Sequence, residues 1–397
     1  MFIKMYCRHL MKKHEIAIFC HNLEINGANV FVLTLATALQ KRARITILSS
    51  KQGDMRKRFK NIGVETVIIE ETYDFQNLSH FDIVFINSLM MSRVVLECIN
   101  YDVPHILIVH ETWLPEKINF YLKELWNIDS VTSSDILSAL EMSQKVIFPA
   151  KYLENIYESL VEPGRRHTIY CTIEMEMIDK YRAENSRNEV RKTLGISDDE
   201  VVFLQVGTVT KRKAQMSTLK AFKIAYDKYK FRKNISLCFV GARSFRSGEH
   251  EYIDEIKNYI LENRLEESVK IYSVHEDINN YFIAADVLVH PSINEVLPLS
   301  ILEACYFELP VIVSNLDGMP EVIKNGVDGL LVNPYDINTI VDSMIELISN
   351  TEKRKIMGKN ARQRVIDQHA ISGFDKKYID LVDTILDKLK WTPKMRQ

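Results

Sequence analysis

Thirteen short, β-branched apolar runs punctuate the chain, with helical patterns between most of them. The first seven are Ile16–Cys20, Ile45–Leu48, Val67–Ile69, Ile83–Ile86, Ile106–Val109, Val146–Phe148 and Thr168–Tyr170. The other six are Val201–Val206, Ile235–Val240, Val269–Tyr272, Val287–His290, Val311–Ser314 and Leu330–Val332. Each run is nearly continuous in apolar residues rather than alternating, which predicts strands buried on both faces. The intervening segments carry the helical period: in Val30–Leu39, Phe31, Leu35, Ala38 and Leu39 share one face. Strand–helix alternation predicts an α/β chain with parallel sheets covered by helices on both sides.

The two series are separated by Lys180–Glu200, where ten of 21 residues are charged and no strand signal occurs. A linker is expected there, dividing the chain into doubly wound domains at 1–185 and 186–372. The tail Gly373–Lys390 is amphipathic, with Tyr378, Leu381, Ile385 and Leu389 on one side, and such a stripe needs a surface to bury it.

Composition narrows the functional classes. The 397 residues are 46% hydrophobic and 26% charged, with a formal net charge of −2, as in ordinary globular proteins. Runs such as Ile83–Ile86 and Ile106–Val109 fall far short of the roughly 20 apolar residues of a spanning helix. Met1–His14 is polar and basic, so no secretory signal is expected. The six cysteines, Cys7, Cys20, Cys98, Cys171, Cys238 and Cys305, form no C-x-x-C pair and read as buried thiols in a reducing compartment. No zinc spacing occurs among the histidines, so no metal site is expected. The small net charge conceals blocks: 12 Lys+Arg against 3 Asp+Glu over 1–60, 11 against 2 over 201–250, and 4 against 18 over 251–350. Basic blocks suit phosphates or anionic lipid; no aromatic-interleaved basic motif supports a nucleic-acid binder.

Open α/β sheets bind ligands beyond the carboxyl ends of their strands. The segment His290–Ala304 follows a strand and enters a helix near Pro298, a residue suited to the first helical position. It carries two carboxylates eight positions apart, Glu295 in the loop and Glu303 in the helix. The helix start offers N–H groups to phosphate, and ionised carboxylates accept strongly from sugar or ribose hydroxyls. After Val201–Val206 come Gly207 and the cations Lys211, Arg212 and Lys213, placed to clamp a diphosphate, although a solvated basic turn has the same appearance. The first strand–helix turn, Asn22–Asn29, lacks a dinucleotide fingerprint, yet Gly27 permits close backbone approach. His110 stands directly after a strand, where it could donate to a substrate hydroxyl or carbonyl.

Together these segments resemble the family-4, group 1, retaining glycosyltransferases of GT-B fold. The resemblance is densest over Asp286–Val332. There strand-H-P-S and E-x7-E are followed by Leu309–Asn315, Gly318–Ile323 and Asn325–Val332 in the family's order. More loosely it extends over nearly the whole chain.

The resemblance implies two Rossmann-like domains facing a cleft, an acceptor-binding domain first and a nucleotide-sugar-binding domain second. It also implies a C-terminal helix, 373–397, crossing back to the first domain. It implies a nucleoside-diphosphate sugar donor, UDP-linked, and transfer to a glycan, lipid-linked or protein-linked acceptor in cell-surface polysaccharide, lipopolysaccharide or glycoconjugate synthesis. Glu295, His110, Lys213 and Arg212 are the implied catalytic set. Gly27, Gly207, Arg212, Lys213, Glu295, Val296, Leu297, Pro298, Leu299 and Glu303 are the implied donor-binding set, with Glu295 on sugar hydroxyls and Glu303 on the ribose. Configuration is retained, and neither a metal nor another cofactor is implied. Thr208 stands where many members carry arginine, and Tyr170-Cys171-Thr172-Ile173 stands where many read asparagine–glycine.

The rival readings are a nucleotide-sugar 2-epimerase on the same fold and a non-catalytic GT-B partner subunit. Lys41, Arg42, Arg44, Lys51, Arg56, Lys57, Arg58 and Lys60 face one acid, Asp54, in twenty residues. That block is expected to dock peripherally on an anionic membrane at its cytoplasmic face, each near-surface cation adding about 1 kcal/mol.

Overall fold

The computed structural model describes residues 14–70, 73–125, 127–231, 234–243, 247–273 and 278–391. The readings made on Cys7 and on residues 1–13 lie outside these. The chain forms two compact units: Met1–Thr172 with Ile371–Gln397, and Ile173–Ala370.

The first unit holds a parallel sheet of seven strands, β1 (His14–Cys20), β2 (Ala43–Ser49), β3 (Glu65–Ile68), β4 (Ile83–Asn87), β5 (His105–Ile108), β6 (Lys145–Phe148) and β7 (Arg166–Thr168). Their order across the sheet is β3-β2-β1-β4-β5-β6-β7. The central strands are buried on both faces, as Ile16, Ala17, Ile18, Phe19 and Cys20 all are, and this explains their continuous apolar character. The edge strand β3 reverts to alternation, with Glu65 and Val67 exposed and Thr66 and Ile68 half-buried.

The second unit repeats the plan with β8 (Val201–Val206), β9 (Ile235–Ala242), β10 (Val269–Ser273), β11 (Val287–His290), β12 (Val311–Ser314) and β13 (Gly329–Val332). Their order is β10-β9-β8-β11-β12-β13, again all parallel. A strand forms at each of the thirteen expected runs, although β7 lies two residues before the expected Thr168–Tyr170.

The tail is the helix Ile371–Trp391, which packs on the helix Gly27–Leu39 of the first unit. It buries Phe374, Tyr378, Leu381, Val382, Ile385 and Leu386, each worth roughly 1.5–3 kcal/mol on full burial. Phe31 meets Phe374 and Tyr378 edge-on, with ring centroids 5.8 and 6.3 Å apart. Ion pairs Lys41–Asp375 and Arg42–Asp383 flank the contact. The side chain of Leu389 lies outside the described residues.

The expected linker is corrected by the structure. Residues 180–200 are not a solvated connection: helices Met175–Glu184 and Arg187–Thr193 belong to the second unit, and the units divide at Thr172/Ile173 rather than at 185/186. Arg187 and Arg191, two of the charges counted there, have distant partners. Arg191 is 2% exposed and donates to the carbonyls of Ala284, Ser197 and Glu200 as well as to Asp286, at 2.6–3.2 Å. Arg187 donates to Ile283, Ala285 and the same Asp286, which also accepts from the backbone N–H of Val202 at 2.9 Å. A charge-rich segment thereby fastens the starts of β8 and β11.

Candidate functional site

In the second sheet the chain winds outward from β8 through β9 and β10, then returns to place β11 against the other edge of β8. The carboxyl ends of β8 and β11 therefore flank the point where strand order reverses, the usual ligand crevice of an open α/β sheet. The loops leaving these strands are 207–214 and 291–298, and they carry the predicted cations and the first carboxylate.

Gly207 leaves β8 at φ +138° and its N–H donates to Val240. Gly241, at φ +120°, has no room for a side chain: a Cβ there would lie 2.5 Å from the Gly207 carbonyl oxygen. Buried glutamines brace the loop that follows. Gln205 donates to the Lys213 carbonyl at 2.7 Å, while Gln215 donates to Thr208 and accepts from the N–H of Thr210. Lys211–Lys213 form a single 3-10 turn, and Ala214 then turns left-handed at φ +56° to start the helix Gln215–Tyr229. This geometry sends Lys213 inward and leaves Lys211 outward, paired with Glu255.

The loop after β11 is stapled to this turn. Ile293 donates its N–H to the Arg212 carbonyl at 3.0 Å, and Arg212 donates to the Asn294 carbonyl at 2.6 Å. Both Arg212 and Lys213 form ion pairs with Glu295, whose side chain is 13% exposed. The Glu295 N–H is held by Asp317 at 2.8 Å. Burial alone would raise the Glu295 carboxyl, but Arg212 and Lys213 outweigh it and hold it at about 2. Burial lowers the Lys213 ammonium, and Glu295 partly opposes this. His290, fully buried at the end of β11, is lowered to about 3 by burial and by Lys213, and so is neutral. Its Nε2 lies 3.4 Å from Lys213 Nζ and, facing an ammonium that only donates, must accept.

Pro298 caps the helix Leu299–Tyr306, which starts one position after the expected first helical residue. No side-chain cap bond occupies this helix start, which carries partial positive charge. Leu297 and Pro298 are buried, Val296 and Leu299 half-buried, and Glu303 is half-buried one turn into the helix. The arrangement can hold a polyanion against two cations beside a carboxylate that accepts from hydroxyls.

In the first unit the corresponding switch point lies between β1 and β4. The turn after β1 is held by three asparagines. Asn22 Oδ1 accepts from Asn26, Asn29 and the N–H of Glu24, and Asn26 caps the helix Gly27–Leu39. A Cβ at Gly27 would meet nothing within 4 Å, so this glycine borders open space rather than the protein's own packing.

His110 follows β5, half-buried, with Nε2 2.7 Å from Asn87 Oδ1 and its ring 5.1 Å from that of Phe31. Burial lowers it to about 4. A neutral imidazole donating from Nε2 to the Asn87 oxygen leaves Nδ1 as its acceptor. Next to it Glu111 accepts from Ser88 Oγ and from the N–H groups of Leu89 and His110. Burial raises the Glu111 carboxyl, and these bonds pull the other way. They hold Ser88 at φ +110°, a strained conformation at the carboxyl end of β4.

Asn87, Ser88, Glu111 and Asp317 thus belong to the two sites although sequence reasoning assigned them no role. The available signal for Asn87 and Ser88 is their position directly after the strand run Ile83–Ile86. Among the described residues no group of three or more His, Cys, Asp or Glu side chains is placed to hold a metal ion. No helix there is long and apolar enough to cross a membrane.

Comparison with known proteins gives four findings. The family described as Glycosyl transferases group 1 matches residues 186–364. The chain is 27% identical over 236 residues to the UDP-Gal:alpha-D-GlcNAc-diphosphoundecaprenol alpha-1,3-galactosyltransferase of Escherichia coli, over 59% of this chain and 58% of that protein. It is 23% identical over 390 residues to the N-acetyl-alpha-D-glucosaminyl L-malate synthase of Bacillus anthracis, over 93% of this chain and 98% of that one. Its fold is similar to that of Anabaena HepE, solved in complex with UDP and glucose, with a TM-score of 0.81 at 16% identity over 93% and 99% of the two chains.

Proposed function

The chain belongs to the group 1 glycosyltransferases, with their GT-B fold, and from that premise we propose that it moves a sugar from a nucleoside-diphosphate sugar to an acceptor hydroxyl with retention of configuration. The observation that carries this reading is the convergence of Arg212 and Lys213 on Glu295 where strand order reverses in the second unit. A diphosphate placed there meets two cations and the start of the helix Leu299–Tyr306. Glu295 then accepts from sugar hydroxyls, and Glu303 accepts from the ribose.

In the transfer, the bond from the anomeric carbon to the phosphate oxygen breaks and a bond to the acceptor oxygen forms on the same face. The acceptor's proton passes to the departing diphosphate oxygen. Negative charge grows on that diphosphate as the bond breaks, and Arg212 and Lys213 stabilise it. The presence of both cations and Glu295 in one contact favours a catalytic subunit over a binding-only partner.

HepE was solved with UDP, and the Escherichia coli relative is named for a UDP-Gal donor and a diphosphoundecaprenol-linked acceptor. These names support a UDP-linked donor and an acceptor in glycan biosynthesis. The first unit, with His110 and Gly27 at its switch point, is the acceptor side in this reading.

The membrane-docking face is narrower than the basic block suggested. Lys41 and Arg42 pair with the returning helix, and Arg44 pairs with Glu65. Lys57 pairs with Asp54, so the remaining surface is the helix Met55–Asn61 with its preceding loop, where Lys51, Arg56 and Lys60 are exposed. We assign peripheral contact with anionic lipid to this face.

The test of the transfer reading is direct. Glu295→Ala and Lys213→Ala abolish sugar transfer while the circular dichroism spectrum is unchanged. Wild-type turnover in both variants overturns the site assignment.

A further inference from the structure

Arg212 and Lys213 reach the same atom, Oε1 of Glu295. Lys213 and Glu295 are withdrawn from solvent, at 11% and 13% exposure, while Arg212 is about a third exposed. Lys213 so placed requires an anion, since an unpaired buried charge is costly. The carboxylate that satisfies it is the one assigned above to sugar hydroxyls, and while its Oε1 holds both cations only Oε2 remains to accept from a hydroxyl.

We propose that Glu295 is the resident counter-ion of the donor site, occupying both cations until the diphosphate of the incoming donor exchanges it off them. This rests on the donor reading given above. Three observations make the exchange local. First, the Glu295 backbone is anchored independently of its side chain, by Asp317 on its N–H and by Arg212 on the preceding Asn294 carbonyl. The carboxylate can therefore turn about its own torsions while the loop stays in place. Second, Arg212 keeps its bond to Asn294, and Lys213 keeps the neutral acceptor His290, so both cations remain aimed after the carboxylate leaves. Third, two cations against one carboxylate leave a surplus positive charge, which a diphosphate of higher charge satisfies better.

The exchange sorts the ligands of the site. An intact nucleotide sugar displaces Glu295 and offers it hydroxyls in return. A bare nucleoside diphosphate displaces it and offers nothing, so the product is held less firmly than its phosphate contacts alone would give. One residue thereby favours donor over product and aids product release.

The experiment is isothermal titration of UDP, GDP and ADP into the full chain as wild type, Glu295→Gln and Lys213→Met. For whichever diphosphate binds wild type best, the exchange predicts binding at least about tenfold tighter in Glu295→Gln and at least about tenfold weaker in Lys213→Met. Opposite signs are the diagnostic, because a residue that merely supports the fold weakens binding in both. Glu295→Gln binding no tighter than wild type while Lys213→Met weakens overturns the exchange and leaves the donor reading standing. Absence of binding by any of the three to wild type overturns the donor reading and the exchange with it. If Glu295→Gln does not fold by circular dichroism, Glu295→Ala is read against the same two outcomes.

Discussion

Gly241→Ala isolates the backbone beneath the proposed donor site from the side chains that line it. At φ +120° an alanine is strained, at a cost of about 1–3 kcal/mol. Its Cβ would also lie 2.5 Å from the Gly207 oxygen and 2.8 Å from the Gly207 carbonyl carbon, backbone atoms that cannot rotate away. Relieving such a contact in a packed interior costs about 1–3 kcal/mol more. The sum, about 2–6 kcal/mol, corresponds to a fall of at least about 4 °C in the melting transition of the second unit. The displaced group is the residue that starts the loop to Arg212 and Lys213, so diphosphate binding falls together with stability. Gly207→Ala is the companion: its Cβ would meet only the flexible end of Lys213, at 3.6–3.7 Å, leaving the strain of φ +138° alone. Differential scanning calorimetry with titration of UDP measures both variants. A melting transition within about 1 °C of wild type in Gly241→Ala, with binding intact, refutes the packing argument.

Asp286→Ala leaves the buried Arg191 without its carboxylate, though with three carbonyl partners, and is expected to destabilise the second unit by about 3 kcal/mol in denaturant titration. His110 binds a proton less readily folded, at about 4, than unfolded, near its ordinary 6.5, so its stabilising effect is present above pH 6.5 and is lost as pH falls toward 4. Wild type therefore loses up to about 3 kcal/mol more than His110→Gln between those limits, read as thermal unfolding of the first unit against pH. Replacing Lys51, Arg56 and Lys60 by Glu abolishes co-sedimentation with vesicles containing phosphatidylglycerol, while transfer to a soluble acceptor is retained; equal sedimentation refutes the docking face.

The strands were legible because a parallel sheet covered on both faces writes itself as continuous apolar runs, as Ile83–Ile86 and Val201–Val206 do. Arg212, Lys213 and Glu295 were legible as candidates because they follow strands, but their meeting on one carboxylate oxygen depends on loops 83 positions apart in sequence. Arg187 and Arg191 were legible only as charges of the expected linker for the same reason. Their carboxylate partner Asp286 lies 99 and 95 positions away, and a local charge count sees only a solvated stretch. The strained Ser88 has no composition signal at all, and the Glu111 carboxylate to which it donates lies 23 residues later. For Lys41 and Arg42 the partners lie on the returning helix, more than three hundred positions on, so their charges read as surface.

The central claim is that the Arg212–Lys213 turn receives the diphosphate of a nucleotide sugar. Thermal shift across UDP, GDP, ADP, CDP and dTDP, in wild type and in Lys213→Met, tests it most directly. A ligand at a hundred times its Kd stabilises the native state by about 2.7 kcal/mol, a shift of several degrees. The account predicts such a shift with at least one of the five in wild type and its loss in Lys213→Met. No shift with any of them, or an equal shift in Lys213→Met, contradicts it.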